Sequence, residues 1–127
     1  MLQRSRWDFL RRHQRLTMEQ KILILLYADQ VAPRFDLATE VSIVSMADDG
    51  RPIEKKTVVL PRASAEQLCH LVLLEKIGTV VCGGIEDEYY QYLKWKNVKV
   101  LDSVIGSFKE VVKRLESGTL QSGDIIR

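Results

Sequence analysis

The stretch Thr79-Val80-Val81-Cys82-Gly83-Gly84-Ile85 restricts the fold more than any other part of the chain. Three β-branched residues and a cysteine in succession leave no polar face. Such a run suits a strand buried on both sides, as in a parallel sheet. The two glycines after it permit a sharp turn and the close approach of another group. In open α/β sheets, ligands bind outside the carboxyl ends of such strands. Cys82 therefore has two readings: a thiol beside bare backbone at the sheet rim, or a small buried hydrophobe ahead of an ordinary strand-to-helix turn.

The flanking pattern supplies the rest of the sheet. Lys21 to Ala28 is too apolar for an edge and reads as the first central strand. Pro33 makes Ala32-Pro33-Arg34-Phe35 a loop. Val41 to Ala47 and Ile53 to Leu60 flank Asp48-Asp49-Gly50-Arg51, and an Asp-Gly pair between apolar runs is a hairpin signal. Ser64 with Gln67, and Ser107 with Glu110, have capping-box spacing and open two helices that stop near Gly78 and Gly118. A third helix is predicted over about Glu86 to Trp95, and a short strand at Val98 to Leu101. A hairpin followed by βα repeats predicts a mixed, mostly parallel sheet of five strands with helices on both faces.

Composition narrows the function classes. At 127 residues the chain is long enough to bury a core without staples, and a net charge of +2 demands no nucleic-acid partner. No apolar run approaches the roughly 18 residues of a membrane span, and no signal core follows the N-terminal arginines. Cys69 and Cys82 form no CxxC pair and no disulfide framework, so a cytoplasmic location with reduced thiols is the expectation. Residues 1–18 carry five arginines against Asp8 alone. They read as a basic extension, flexible or helical, either touching an acidic partner or preceding a true start at Met18. Residues 19–120 form the predicted α/β domain, and 121–127 a loose C-terminal tail.

From about Lys21 to Leu120 the chain resembles the dinitrogenase iron–molybdenum cofactor biosynthesis family, of the small nitrogenase-accessory type. Three features carry the resemblance: Val31-Ala32-Pro33-Arg34-Phe35, similar to that family's Pro-His-Phe loop; Val80-Val81-Cys82-Gly83-Gly84-Ile85, similar to its second signature; and Asn97 to Val100 with Gly106 and the Lys113 to Leu120 helix end. The resemblance implies a three-layer α/β/α domain with a ribonuclease-H-like arrangement. It also implies a non-catalytic carrier for an iron–sulfur or iron–molybdenum cluster or precursor, which would meet cluster-assembly or cluster-receiving proteins.

The chain departs from that pattern at two places. The loop histidine is Arg34, and the glycine after the phenylalanine is Asp36. Arginine cannot ligate a metal, but it donates hydrogen bonds to sulfides or oxo groups. The resulting candidate site has Arg34, Phe35, Gly83 and Gly84 as cofactor-binding residues. Cys82 is its metal ligand, assisted by Asp29. One thiolate is few, since protein-bound iron–sulfur clusters generally take several.

Enzymatic alternatives lack a motif. Neither GxGxxG nor GxxxxGK[ST] is present, and Glu86, Asp87 and Glu88 compete with a phosphate for the positive end of their helix. Cys69, His70 and His13 show no metal-site spacing. A second reading is a metal-free interaction or regulatory module, using the same cleft or the Tyr89, Tyr90, Tyr92 and Trp95 group. On a helix, Tyr89, Tyr92 and Leu93 share a side, whereas Tyr90 and Trp95 fall elsewhere. The unpaired hairpin edge also invites pairing with a second copy.

Overall fold

The computed structural model describes residues 20–127. The basic extension expected at 1–18 lies outside the described residues. Among the described residues six strands and three helices follow one another: β1 (Gln20–Tyr27), β2 (Gln30–Val31), a 3-10 turn (Phe35–Leu37), β3 (Glu40–Met46), β4 (Pro52–Val59), α1 (Ala65–Leu74), β5 (Thr79–Val81), α2 (Asp87–Trp95), β6 (Lys99–Leu101) and α3 (Phe108–Glu116).

The sheet order is β4-β3-β1-β5-β6, with the two-residue β2 paired to β1. It is mixed, as expected, but it has a sixth short strand, and its longer ladders are antiparallel. β1–β3 and β3–β4 run antiparallel, and only β1–β5 and β5–β6 run parallel. The reason is length. The hairpin strands have seven and eight residues, whereas β5 and β6 have three each before the chain turns away.

Alternation along β1 divides the interior into two layers. Leu23 and Leu25 join Leu68, Val72 and Leu93 beneath α1 and α2. Ile22 and Ile24 join Val111 and Val112 beneath α3. This period-2 split gives a central strand two buried faces and produces the α/β/α layering. Ser64 Oγ accepts from the Gln67 N–H at 3.2 Å, and Ser107 Oγ from the Glu110 N–H at 3.3 Å, so both predicted caps form. At the hairpin, Gly50 takes φ +87°, and a side chain there would meet the Glu116 carbonyl oxygen at 2.8 Å.

The C-terminal tail is not loose. Ile126 is buried, its N–H donates to the Ile105 carbonyl at 2.7 Å, and the Ile105 N–H donates to the Asp124 carbonyl at 2.9 Å. Ser122 Oγ accepts from the Asp102 N–H at 3.2 Å, which holds the tail against the end of β6. Ile126 is stabilised by burial that its position close to a terminus does not reveal, while its neighbour Ile125 stays exposed. At the opposite edge, no described strand pairs with the outer side of β4, which is exposed throughout except the half-buried Val58. No described helix is long and apolar enough to cross a membrane.

Candidate functional site

The rim of the sheet is formed where β1 and β5 end. After Tyr27 the chain turns through Ala28, which takes the left-handed φ of 54°, and returns as β2. Pro33 then carries the loop across to the Cys82-Gly83-Gly84 turn. There the two segments are joined backbone to backbone. The Gly83 N–H donates to the Ala32 carbonyl at 3.0 Å, the Gly84 N–H to the Pro33 carbonyl at 2.7 Å, and the Phe35 N–H to the Gly84 carbonyl at 2.8 Å. On its other side, the Ser103 N–H donates to the Gly83 carbonyl at 2.8 Å and the Val104 N–H to the Cys82 carbonyl at 3.1 Å.

This corrects the picture of a bare-backbone notch. A Cβ on Gly83 would lie 2.6 Å from the Ala32 carbonyl oxygen, so the glycine serves approach by the protein's own loop. The amides of Gly83 and Gly84, expected to face a cofactor, are taken by that loop.

Cys82 also differs from expectation. Its side chain is fully buried in the layer beneath α1 and α2, with Phe35, Leu68 and Leu93. Burial pushes its thiol up to about 12, and the Asp102 carboxylate adds to the effect. A thiol in that state holds its proton at neutral pH. Asp29 sits exposed in the β1–β2 turn, its carbonyl accepting from the Phe108 N–H of α3 at 2.8 Å. It is thus tied to the α3 side of the sheet, while Cys82 faces the other. Among the described residues no group of three or more His, Cys, Asp and Glu side chains gathers.

Phe35 is likewise fully buried, and its ring stacks on Tyr89 with centroids 6.0 Å apart. It anchors the loop and has no surface to offer a cofactor. Cys69 is buried as well, and burial pushes its thiol up to about 11. It packs, as its helical position predicts.

Arg34 remains at the surface. Its side chain is 56% exposed, and it forms a two-pronged pair with Asp36, Nε to Oδ1 at 3.0 Å and Nη2 to Oδ2 at 2.6 Å. The two departures from the family pattern therefore pair with each other. A guanidinium has five N–H donors, and Asp36 engages two of them. Beside it lies an apolar cleft of about 230 Å³ lined by Tyr27, Ala32, Pro33, Leu37 and Ala38. Tyr27 and Leu37 were not singled out from the sequence. The available signal was an aromatic at the end of a central strand and a leucine left exposed by a 3-10 turn.

A proline loop fastened to a Cys-Gly-Gly turn at the edge of a three-layer α/β/α sheet defines the class. The chain belongs to the dinitrogenase iron-molybdenum cofactor family, whose model matches residues 23–118. Solved structures share the fold. PH0822 has a TM-score of 0.73 at 18% identity, over 80% of this chain and 93% of its own. MJ0327 from Methanocaldococcus jannaschii has a TM-score of 0.66 at 17% identity, over 81% and 93%. The apo form of the orange protein from Desulfovibrio gigas has a TM-score of 0.62 at 18% identity, over 81% and 92%. The chain matches no curated protein.

Proposed function

We propose that the protein binds, without turning it over, an anionic iron–sulfur or iron–molybdenum type cluster or its precursor, and that the cargo docks at the Arg34 rim. Family membership supports the cargo class. The observation that carries the location is Arg34 itself: an exposed, permanent cation that engages Asp36 through two of its five N–H donors and, among the described residues, no other side chain, beside an apolar cleft at the strand ends. Sulfide and oxo groups accept such donors, and the apolar wall lowers the local dielectric that strengthens them. The binding is then electrostatic and outer-sphere, with Cys82 a structural residue. Cluster-assembly or cluster-receiving proteins are the partners this role requires, and the open β4 edge is where a second copy would pair.

Anaerobic titration with tetrathiomolybdate, followed by visible absorption, tests this reading. Arg34→Gln should weaken binding at least fivefold, and Cys82→Ala should leave it within twofold. Equal binding by wild type and Arg34→Gln would sink the rim assignment. Loss of binding in a folded Cys82→Ala protein would return the site to the thiol.

The burial of both thiols, Cys69 and Cys82, favours a second reading, a metal-free interaction or regulatory module of the same fold. Reconstitution with iron and sulfide that leaves no chromophore, together with no thiomolybdate binding, would select it.

A further inference from the structure

A groove of about 600 Å³ runs between α1 and α2, separate from the rim. One wall is aromatic: Tyr89, Tyr92 and Trp95 project from α2 along its length. Glu66 of α1 and Glu88 of α2 stand at one end, and no lysine or arginine lines the groove among the described residues. Trp95 is 73% exposed, a large indole that the fold itself does not cover. At the Glu66 and Glu88 end the local field is negative. Burial and the carboxylates of Glu88, Glu86 and Glu66 together hold the Tyr89 phenol above its ordinary range.

These aromatic faces already take a cation. The Lys96 ammonium lies 4.5 Å from the Trp95 ring centroid and 5.8 Å from that of Tyr92. Ring faces with carboxylates nearby are the surroundings that a guanidinium uses best, since it stacks flat and pairs with carboxylates in a fork. From Glu88 to Trp95 the helix rises about 10 Å, the span of roughly three extended residues.

We propose that this groove binds a peptide segment of a partner protein through its arginine side chains, one guanidinium held at Glu66 and Glu88 beside Tyr89 and Tyr92, another stacked on Trp95 in place of Lys96. The assignment is independent of the cargo proposed for the rim.

The test uses the full-length chain with Trp7→Phe, which leaves Trp95 as its only tryptophan. Its emission is followed during titration with a nine-residue peptide carrying three arginines, and with the citrulline and lysine counterparts. A saturable change is expected with the arginine peptide, at least tenfold weaker with citrulline and severalfold weaker with lysine. The Glu66→Gln, Glu88→Gln double variant should weaken arginine binding about tenfold, and Tyr92→Leu about threefold. Arg34→Gln should leave it unchanged. Equal binding of the citrulline or lysine peptide, or an unaffected double variant, would overturn the proposal. Concentration-dependent self-association lost in the double variant would give the groove to a second copy. Protection of Trp95 relieved by removing residues 1–17 would give it to the chain's own arginines. Either result overturns the partner assignment.

Discussion

The rim and the α1–α2 groove hold their surroundings by opposite means. At the rim, backbone meets backbone: Gly83 and Gly84 exchange hydrogen bonds with Ala32, Pro33 and Phe35, and no side chain intervenes. In the groove, side chains meet side chains, the Tyr92 and Trp95 rings lying 6.3 Å apart between centroids, and both remain exposed. The rim is thus a structural joint with one charged residue left outside. The groove is a recessed surface in which Tyr89 packs on the core through Phe35, while Trp95 stays in solvent. A glycine pair near a strand end points to close approach, and here the approaching group is the protein itself.

Perturbations at the two places should therefore differ sharply. Gly83→Ala should have the largest effect, because its Cβ would press on the Ala32 and Pro33 carbonyls and part the loop from the turn. A loss of about 3 kcal/mol is expected from overpacking and broken hydrogen bonds, measured by urea unfolding. A loss below about 1 kcal/mol would show that the joint yields easily. Cys82→Ser should cost about 2 kcal/mol, the usual penalty of a hydroxyl in an apolar interior, whereas an exposed thiol would tolerate serine.

Alkaline titration sharpens the same contrast. The native Cys82 thiol keeps its proton up to about 12, while an unfolded thiol releases it near the ordinary value of 9.0. The unfolded state therefore binds fewer protons above pH 9, and stability falls as pH rises. The contribution is fully present below about pH 9 and lost by about pH 12. Cys69, raised to about 11, adds to the decline over a narrower window. Thermal unfolding across pH 8 to 11 should show the decline, and Cys82→Ala should flatten it. Native protein at pH 8 should also resist a thiol-modifying disulfide reagent until denatured.

The smallest effect belongs to the groove. Trp95→Ala should change stability by no more than about 1 kcal/mol, since it removes an exposed ring and one cation–π contact with Lys96. A larger loss would mean that the groove wall is part of the core after all.

Much of the fold was legible from local pattern. Asp49-Gly50 placed the hairpin, Ser64 and Ser107 placed two helix starts, and the apolar runs at Lys21 to Ala28 and at Thr79 to Val81 gave two adjacent parallel strands. The order of the tail was not legible, because Ile126 finds its partner across the chain at Ile105. The candidate site was legible only in part. Arg34 and the Gly83-Gly84 turn do lie together, joined through the Phe35 N–H. Cys82 faces inward, and the Asp29 backbone is bonded to Phe108 of α3. Trp95 was assigned to a different helical side from Tyr89 and Tyr92, yet it lines the same groove, because a large ring at the helix end reaches round the stripe.

Periodicity, caps and turn residues determined, from the sequence alone, which segments become strands and helices, and the ordered signatures pointed to the family. Those signals act over a few residues, where sterics and hydrogen bonding repeat regularly. The tertiary structure decided what fills the space above Gly83, which way the Cys82 sulfur points and what Arg34 pairs with. Each of these depends on the packing of segments distant in sequence, or on the shape of a loop held between them.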